Sequence, residues 1–139
     1  MPTLSPGAAQ DILDTLKRGW EGRDPETIVN LFRQDAEYRH HPFIEPLLGS
    51  NAIRRYWNEV AATQVHIDFE PERVWVSGST VLASWHAAFT RRTSAERIRQ
   101  RGFMTLELDD EGAVWRFRQW PLEQVVGTDS TFAAEGERG

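Results

Sequence analysis

His41-Pro42-Phe43-Ile44-Glu45-Pro46-Leu47-Leu48-Gly49-Ser50-Asn51-Ala52-Ile53-Arg54-Arg55-Tyr56-Trp57 reads as a strand end, a proline-punctuated loop and a capped helix. Pro42 and Pro46 hold the loop extended and stop the strand before it. Ser50 predicts a cap for a helix over Asn51 to Ala62, with Ile53, Tyr56, Trp57 and Val60 on one face. A strand delivered into a helix through so stiff a loop fixes where both sit, so this segment decides the fold.

Upstream, Ile12, Leu13, Leu16 and Trp20 recur at helical spacing over Ala8 to Glu21, with Gly22 as the stop. Asp24-Pro25 predicts the start of a second helix with an apolar stripe of Ile28, Val29, Leu31 and Phe32. Asp35-Ala36 is read as its end, with Asp35 as the capping residue, and Glu37 to His41 as a short strand. Downstream the period changes from 3.6 to 2. Strands are expected over Val65 to Val76, Thr80 to Arg91, Arg97 to Leu108 and Ala113 to Pro121. Ser77-Gly78-Ser79, Thr93 to Glu96 and Asp109-Asp110-Glu111-Gly112 turn between them. Helices first and a strand meander last predict an α+β domain, a curled antiparallel sheet with three helices on one face.

The chain has 139 residues, 40% of them hydrophobic, enough for one domain with a core. The expected organisation is a disordered tail over 1–7, a domain over 8–126 and a flexible tail over 127–139. With no cysteine there is no disulfide, thiolate metal site or cysteine nucleophile, and a cytoplasmic setting is expected. No signal peptide or membrane-length apolar run is found. Net charge is −5, against nucleic-acid binding, and the arginines from Arg91 to Arg101 read as a solvated hairpin.

The order of Ile28-Val29-Asn30-Leu31-Phe32, Asp35-Ala36, His41-Pro42, Glu45-Pro46, Gly49, Ala52-Ile53, Tyr56-Trp57 and the late Leu108-Asp109-Asp110-Glu111-Gly112 resembles nuclear transport factor 2-like domains, specifically the SnoaL-like group that includes ketosteroid isomerase. The resemblance spans about Ala8 to Trp120. It implies a cystatin-like cone, its curled sheet wrapped by the helices around a pocket. It also implies sites that this chain fills differently. His41 stands where ketosteroid isomerase-like members carry a carboxylate base. Met104 falls at the oxyanion-hole aspartate, and Thr15 or Leu16 at the tyrosine. Trp85, Ala87 and Gln119 replace the ionisable trio of limonene epoxide hydrolase-like members.

If Trp85 and Ala87 face inward, so do Ala83 and Phe89, and on later strands Gly102, Met104, Leu106, Trp115, Phe117 and Gln119. The expected ligand-binding set is Trp20, Tyr38, Trp57, Trp85, Phe89, Met104, Phe117 and Gln119, an apolar, aromatic pocket for a small molecule. His41 is the candidate general base. His40 is expected to point the opposite way, and His66 and His86 sit on separate strands, so neither a metal site nor any cofactor is expected. The opposite sheet face would carry Phe103, Trp120 and Arg118, which predicts a homodimer through that face. Three functions follow as expectations. The first is a SnoaL-like small-molecule-binding domain. The second is an isomerase, lyase or cyclase acting on an apolar carbonyl compound through His41. The third is a protein-interaction module that uses the outer sheet face.

Overall fold

A computed structural model describes residues 4–132; the outermost parts of both expected tails, 1–3 and 133–139, lie outside the described residues. Helix α1 (Pro6–Glu21) opens where the sequence supplies a cap and a proline. The Ser5 hydroxyl accepts the Ala8 N–H at 3.1 Å and Pro6 occupies the first turn. The helix therefore starts inside the segment expected to be disordered, and the Leu4 N–H donates to the Gly78 carbonyl at 2.9 Å. Leu13, Leu16 and Trp20 form its buried face. Lys17 ties its outer side to the sheet through Glu21, Glu70 and the Phe69 carbonyl.

Helix α2 (Pro25–Val29) is shorter than the apolar stripe suggested. Phe32 begins strand β1 (Phe32–Arg39), and Asp35 lies in that strand, paired with Arg33, and caps nothing. A run such as Ile28-Val29-Asn30-Leu31-Phe32 satisfies helical and strand periods equally. The sheet settles it, since the Val114 N–H donates to the Leu31 carbonyl and Phe32 pairs with Val114. A two-residue strand β2 (Leu47–Leu48) precedes helix α3 (Ser50–Thr63). Gly49, at φ +87°, takes the capping position expected for Ser50, whose hydroxyl donates instead to the Gln34 carbonyl. Ile53, Trp57 and Val60 are the buried face of α3.

Strands β3 (Gln64–Ser77), β4 (Thr80–Arg91), β5 (Glu96–Leu108) and β6 (Val114–Thr128) form the meander, in the order β2-β1-β6-β5-β4-β3. The sheet is mixed, because β1 runs parallel to β6; the expectation of a purely antiparallel sheet is corrected there. Their pairing puts the Tyr38 ring on Phe117, with centroids 4.4 Å apart and planes 13° from parallel. The inward row of β4 is as expected, with Val81, Ala83, Trp85, Ala87 and Phe89 all buried. Trp115 is not part of the core. The β5–β6 register shifts between Glu107 and Leu108, so Val114 takes the buried position, and Trp115 lies under the Arg116 guanidinium at 4.6 Å.

Strand β6 runs seven residues past Pro121, the expected strand end. Gly127 and Thr128, expected in the tail, pair with Arg97 and Glu96. Asp129 follows and is held by its N–H to the Ala95 carbonyl at 2.7 Å. Gly102 marks the tightest approach in the sheet. A Cβ there would sit 2.6 Å from the Trp85 ring and 3.0 Å from the Trp120 carbonyl. Trp85 is fully buried and cannot yield. Gly102→Ala is therefore expected to lose about 1–3 kcal/mol of stability by overpacking, read as a lower urea midpoint at unchanged slope.

Candidate functional site at the open end of the cone

The cone is mostly filled. Trp20 meets Trp57, Phe69, Trp85 and Phe89 with ring centroids 5.4 to 6.4 Å away. What remains inside is a cavity of about 50 Å³, lined by residues that include Leu16, Trp20, Tyr38, Trp57, Met104 and Phe117. A cleft of about 440 Å³ lies at the open end, between the loop after β1, the second half of α3, the end of β4, Gln100 of β5 and the middle of β6. Cavity and cleft share four lining residues, Tyr56, Gln64, Gln100 and Gln119. These form a neutral collar where the interior opens.

Each glutamine is aimed by one hydrogen bond. Gln64 opens β3 directly after α3 and its side-chain oxygen accepts the Trp20 indole N–H at 2.8 Å. Gln119 donates to the His40 carbonyl at 3.1 Å. Gln100 donates to Glu123, its cross-strand partner, at 3.0 Å. Glu123 is also paired with Arg91, so the one carboxylate lining the cleft is already neutralised.

Of the expected ligand-binding residues, Trp20, Tyr38, Trp57, Met104, Phe117 and Gln119 line the interior cavity, and Phe89 lines the cleft. Trp85 lines neither; it is buried against Trp20, Phe69 and the Gly102 backbone. His41 lines the cleft and not the interior. Its Nδ1 accepts the Phe43 N–H at 3.3 Å, so the neutral ring carries its proton on Nε2 and offers a donor, not a base. His40 lines the same cleft, contrary to the strand alternation expected of the pair, because β1 ends at Arg39 and the chain bends. The His40 ring stacks on Tyr56 at 4.4 Å. Burial, with a smaller contribution from His41, lowers its pKa, so His40 is neutral near pH 7.

The interior has no ionising group in the neutral range. Burial foremost, then the neighbouring Tyr56, pushes the Tyr38 hydroxyl well above its ordinary value, slightly offset by the Trp57 indole. Burial and then Glu123 push Tyr56 up to about 12. Two neutral phenols, two indoles and three carboxamides can donate and accept hydrogen bonds there. They cannot exchange protons with a substrate at neutral pH.

The sequence reading did not single out His40, Tyr56, Gln64, Gln100 or Glu123 for the site. Gln100 was legible, two residues before Gly102 on the inward row. Glu123 was not, because it lies past the proline taken as the strand end.

A second concavity, lined by Glu21, His66, Asp68, Arg97 and Asp129 among others, is open and polar. Its polar groups are bound to one another. The Asp129 carboxylate accepts from Thr131, Thr90 and His66, and Arg97 donates to the His66 carbonyl and to Thr90. This knot fastens the end of β6 to β3 and β4. Among the described residues, no group of three or more histidine or acidic side chains converges as a metal site, and no helix is long and apolar enough to cross a membrane.

The chain belongs to the SnoaL-like domain family, whose sequence profile matches residues 13–117. The fold is that of the wider nuclear transport factor 2-like superfamily. One similar structure is SalBIII, described as an epoxide hydrolase/cyclase-like enzyme in pyran ring formation in the polyether salinomycin. It is 19% identical, with TM-score 0.76 over 86% of this chain and 96% of that one. An LEH-like epoxide hydrolase from M. tuberculosis is 15% identical, with TM-score 0.70 over 84% of each chain. A Catenulispora acidiphila protein with a ketosteroid isomerase-like fold, solved with trimethylamine, is 14% identical, with TM-score 0.72 over 95% of this chain and 98% of that one. These likenesses establish the fold. No curated protein matches the sequence.

The Asp129 knot makes a prediction about stability. Hydrogen bonds from Thr131 first, then Thr90 and His66, hold the Asp129 carboxyl far below the usual carboxylate range. A depressed folded-state pKa stabilises above the unfolded value of about 3.9, and that stabilisation is lost as pH falls towards the folded value. Asp129→Asn should therefore lower the Tm at pH 7. The gap to the parent protein should close progressively below about pH 4, in thermal melts recorded across pH.

Proposed function

We propose that this protein binds a small, uncharged, largely apolar molecule at the open end of the cone. The observation that carries the reading is the shared collar: the same four neutral side chains border both the interior cavity and the outer cleft. The enclosed part alone is far below the roughly 300–1,000 Å³ of ordinary ligand pockets, whereas cavity and cleft together reach that range. A ligand would therefore put a small part inside and its bulk in the cleft. Isothermal titration with small neutral alicyclic and aromatic compounds tests this. Binding should quench tryptophan fluorescence through Trp20 and Trp57, and Gln119→Phe, which fills the collar, should weaken it by about tenfold or more. Binding that survives Gln119→Phe undiminished would place the ligand elsewhere.

A second reading gives the cleft acid–base chemistry on an apolar carbonyl compound, as an isomerase, lyase or cyclase. The observation that favours it is the neutral, half-buried His40 beside Tyr56. The base is then His40 in place of His41, whose Nδ1 is occupied by the Phe43 amide. Exchange of the α-proton of a bound ketone should fall as pH drops through the His40 pKa, below the ordinary value of about 6.5, and disappear in His40→Ala. Exchange unchanged in that variant removes the reading.

The outer sheet face is proposed to pair two copies of the chain. Trp75, Phe103 and Trp120 form a row there, with centroids 6.1 and 6.4 Å apart, and Trp75 and Trp120 are 42% and 40% exposed. Arg118 lies on the same strand as Trp120 and Arg101 on that of Phe103, while Glu72 faces Arg101 at 3.6 Å. A face with apolar rings flanked by both charge signs can complement a copy of itself. Sedimentation equilibrium should find a dimer that Trp120→Glu converts to monomer; a monomeric parent protein would contradict the proposal.

A further inference from the structure

The three carboxamides of the collar are fixed end for end by the groups they touch. An indole N–H only donates, so Gln64 gives its oxygen to Trp20 and turns its NH₂ group outward. A peptide carbonyl and a carboxylate only accept, so Gln119 gives its NH₂ group to the His40 carbonyl and Gln100 gives its own to Glu123. The oxygens of Gln100 and Gln119 are then turned outward, and each of these two side chains keeps one amide proton. Among the described residues nothing else bonds the three outward ends, and none of them is sealed inside the fold.

The ends are sorted by wall. Gln64 stands where α3 gives way to β3, whereas Gln100 and Gln119 stand on the neighbouring strands β5 and β6. The phenols add to the donors. The Tyr38 hydroxyl accepts the Trp57 indole N–H and has its own proton to give. The Tyr56 hydroxyl makes no hydrogen bond among the described residues and can give or accept. A ligand oxygen therefore finds Gln64, Tyr38 and Tyr56 as donors. A carbonyl alone would leave the Gln100 and Gln119 oxygens with nothing to accept, their lost hydration uncompensated. A ligand N–H beside the carbonyl completes the set. No charged side chain lines the inner cavity, and Arg91 and Glu123 at the rim are closed on each other, so the head group is neutral. At about 50 Å³, against about 30 Å³ for a water molecule in the liquid, the cavity takes no more than a small head group.

We propose that the site selects a neutral amide or lactam, its carbonyl turned to Gln64 and the tyrosine hydroxyls and its N–H turned to the oxygens of Gln100 and Gln119. This rests on the binding reading above and adds the ligand's head group and its orientation. The apolar remainder of the ligand lies in the cleft beside Ile44, Phe89 and Pro121.

The test titrates the intact protein with 2-piperidone, N-methyl-2-piperidone and cyclohexanone, rings of one size. The first carries C=O and N–H together, the second blocks the N–H with a methyl group, and the third replaces the N–H by CH₂. In a purely apolar site 2-piperidone, the most strongly hydrated of the three, would bind most weakly. Here it should bind about tenfold more tightly than either of the others, the equivalent of one hydrogen bond. Gln100→Met and Gln119→Met, which keep the bulk and remove the accepting oxygen, should each reduce that preference. The comparison of the three rings is made on the parent protein and stands even if neither variant folds. Binding of 2-piperidone equal to or weaker than that of cyclohexanone, or a preference undiminished in both variants, overturns the proposal and leaves the binding reading intact. If none of the three rings binds, both fall.

Discussion

The rest of the structure depends on Trp20. Its ring sits where α1, α3 and the inner face of the sheet converge, in contact with Trp57, Phe69, Trp85 and Phe89. Aromatic pairs of this kind are worth about 0.5–1.5 kcal/mol each beyond their buried area. Its indole N–H reaches out of the cluster to Gln64, the first residue of β3, and so fixes where helix gives way to sheet. The cluster holds the cone together, and it also takes up most of the cone's volume. The small cavity and the broad cleft above it are both consequences of that filling.

Filling with indoles decides the chemistry as well as the volume. The resemblance implies that Trp85, Ala87 and Gln119 stand where limonene epoxide hydrolase-like members carry an ionisable trio. Here Trp85 is buried under the Gly102 backbone, and Gln119 is turned to the collar by the His40 carbonyl. The interior is neutral because its phenols are held protonated by burial and its amides cannot ionise. Charge is confined to the rim, where Arg91 and Glu123 cancel each other and His40 is kept neutral. Such a site selects by shape and by single hydrogen bonds.

Much of this was legible in the sequence, and the losses have identifiable causes. The proline loop and the helix after it followed from turn residues and periodicity, and the inward row of β4 and the place of Met104 and Phe117 from the family resemblance together with strand alternation. Phe32 was misplaced because the apolar run around it fits two periods, and only pairing with Val114 selects the strand. Trp115 was misplaced because a single bulge moves one residue out of alternation. The histidine pair was misjudged because alternation was carried two residues past Arg39, the end of β1. Glu123 and the Asp129 knot were missed for a shared reason: Pro121 and Gly127 resemble strand terminators, yet β6 continues through both. Long-range partners such as Thr90 and His66 leave no local trace beside Asp129. The sequence reading also overestimated the pocket, since a list of inward aromatics does not show how closely they pack.

The central claim is that the open end of the cone, bordered by Tyr56, Gln64, Gln100 and Gln119, receives a small neutral ligand. A nitrogen-15 correlation spectrum that resolves side-chain amides and indoles, recorded while cyclohexanone is added, tests it most directly. Saturable shifts are expected at the side chains of Gln64, Gln100 and Gln119 and at the indoles of Trp20 and Trp57, with Trp75 and Trp120 unmoved. Shifts confined to Trp75 and Trp120, or no saturable shift at the collar, would contradict it.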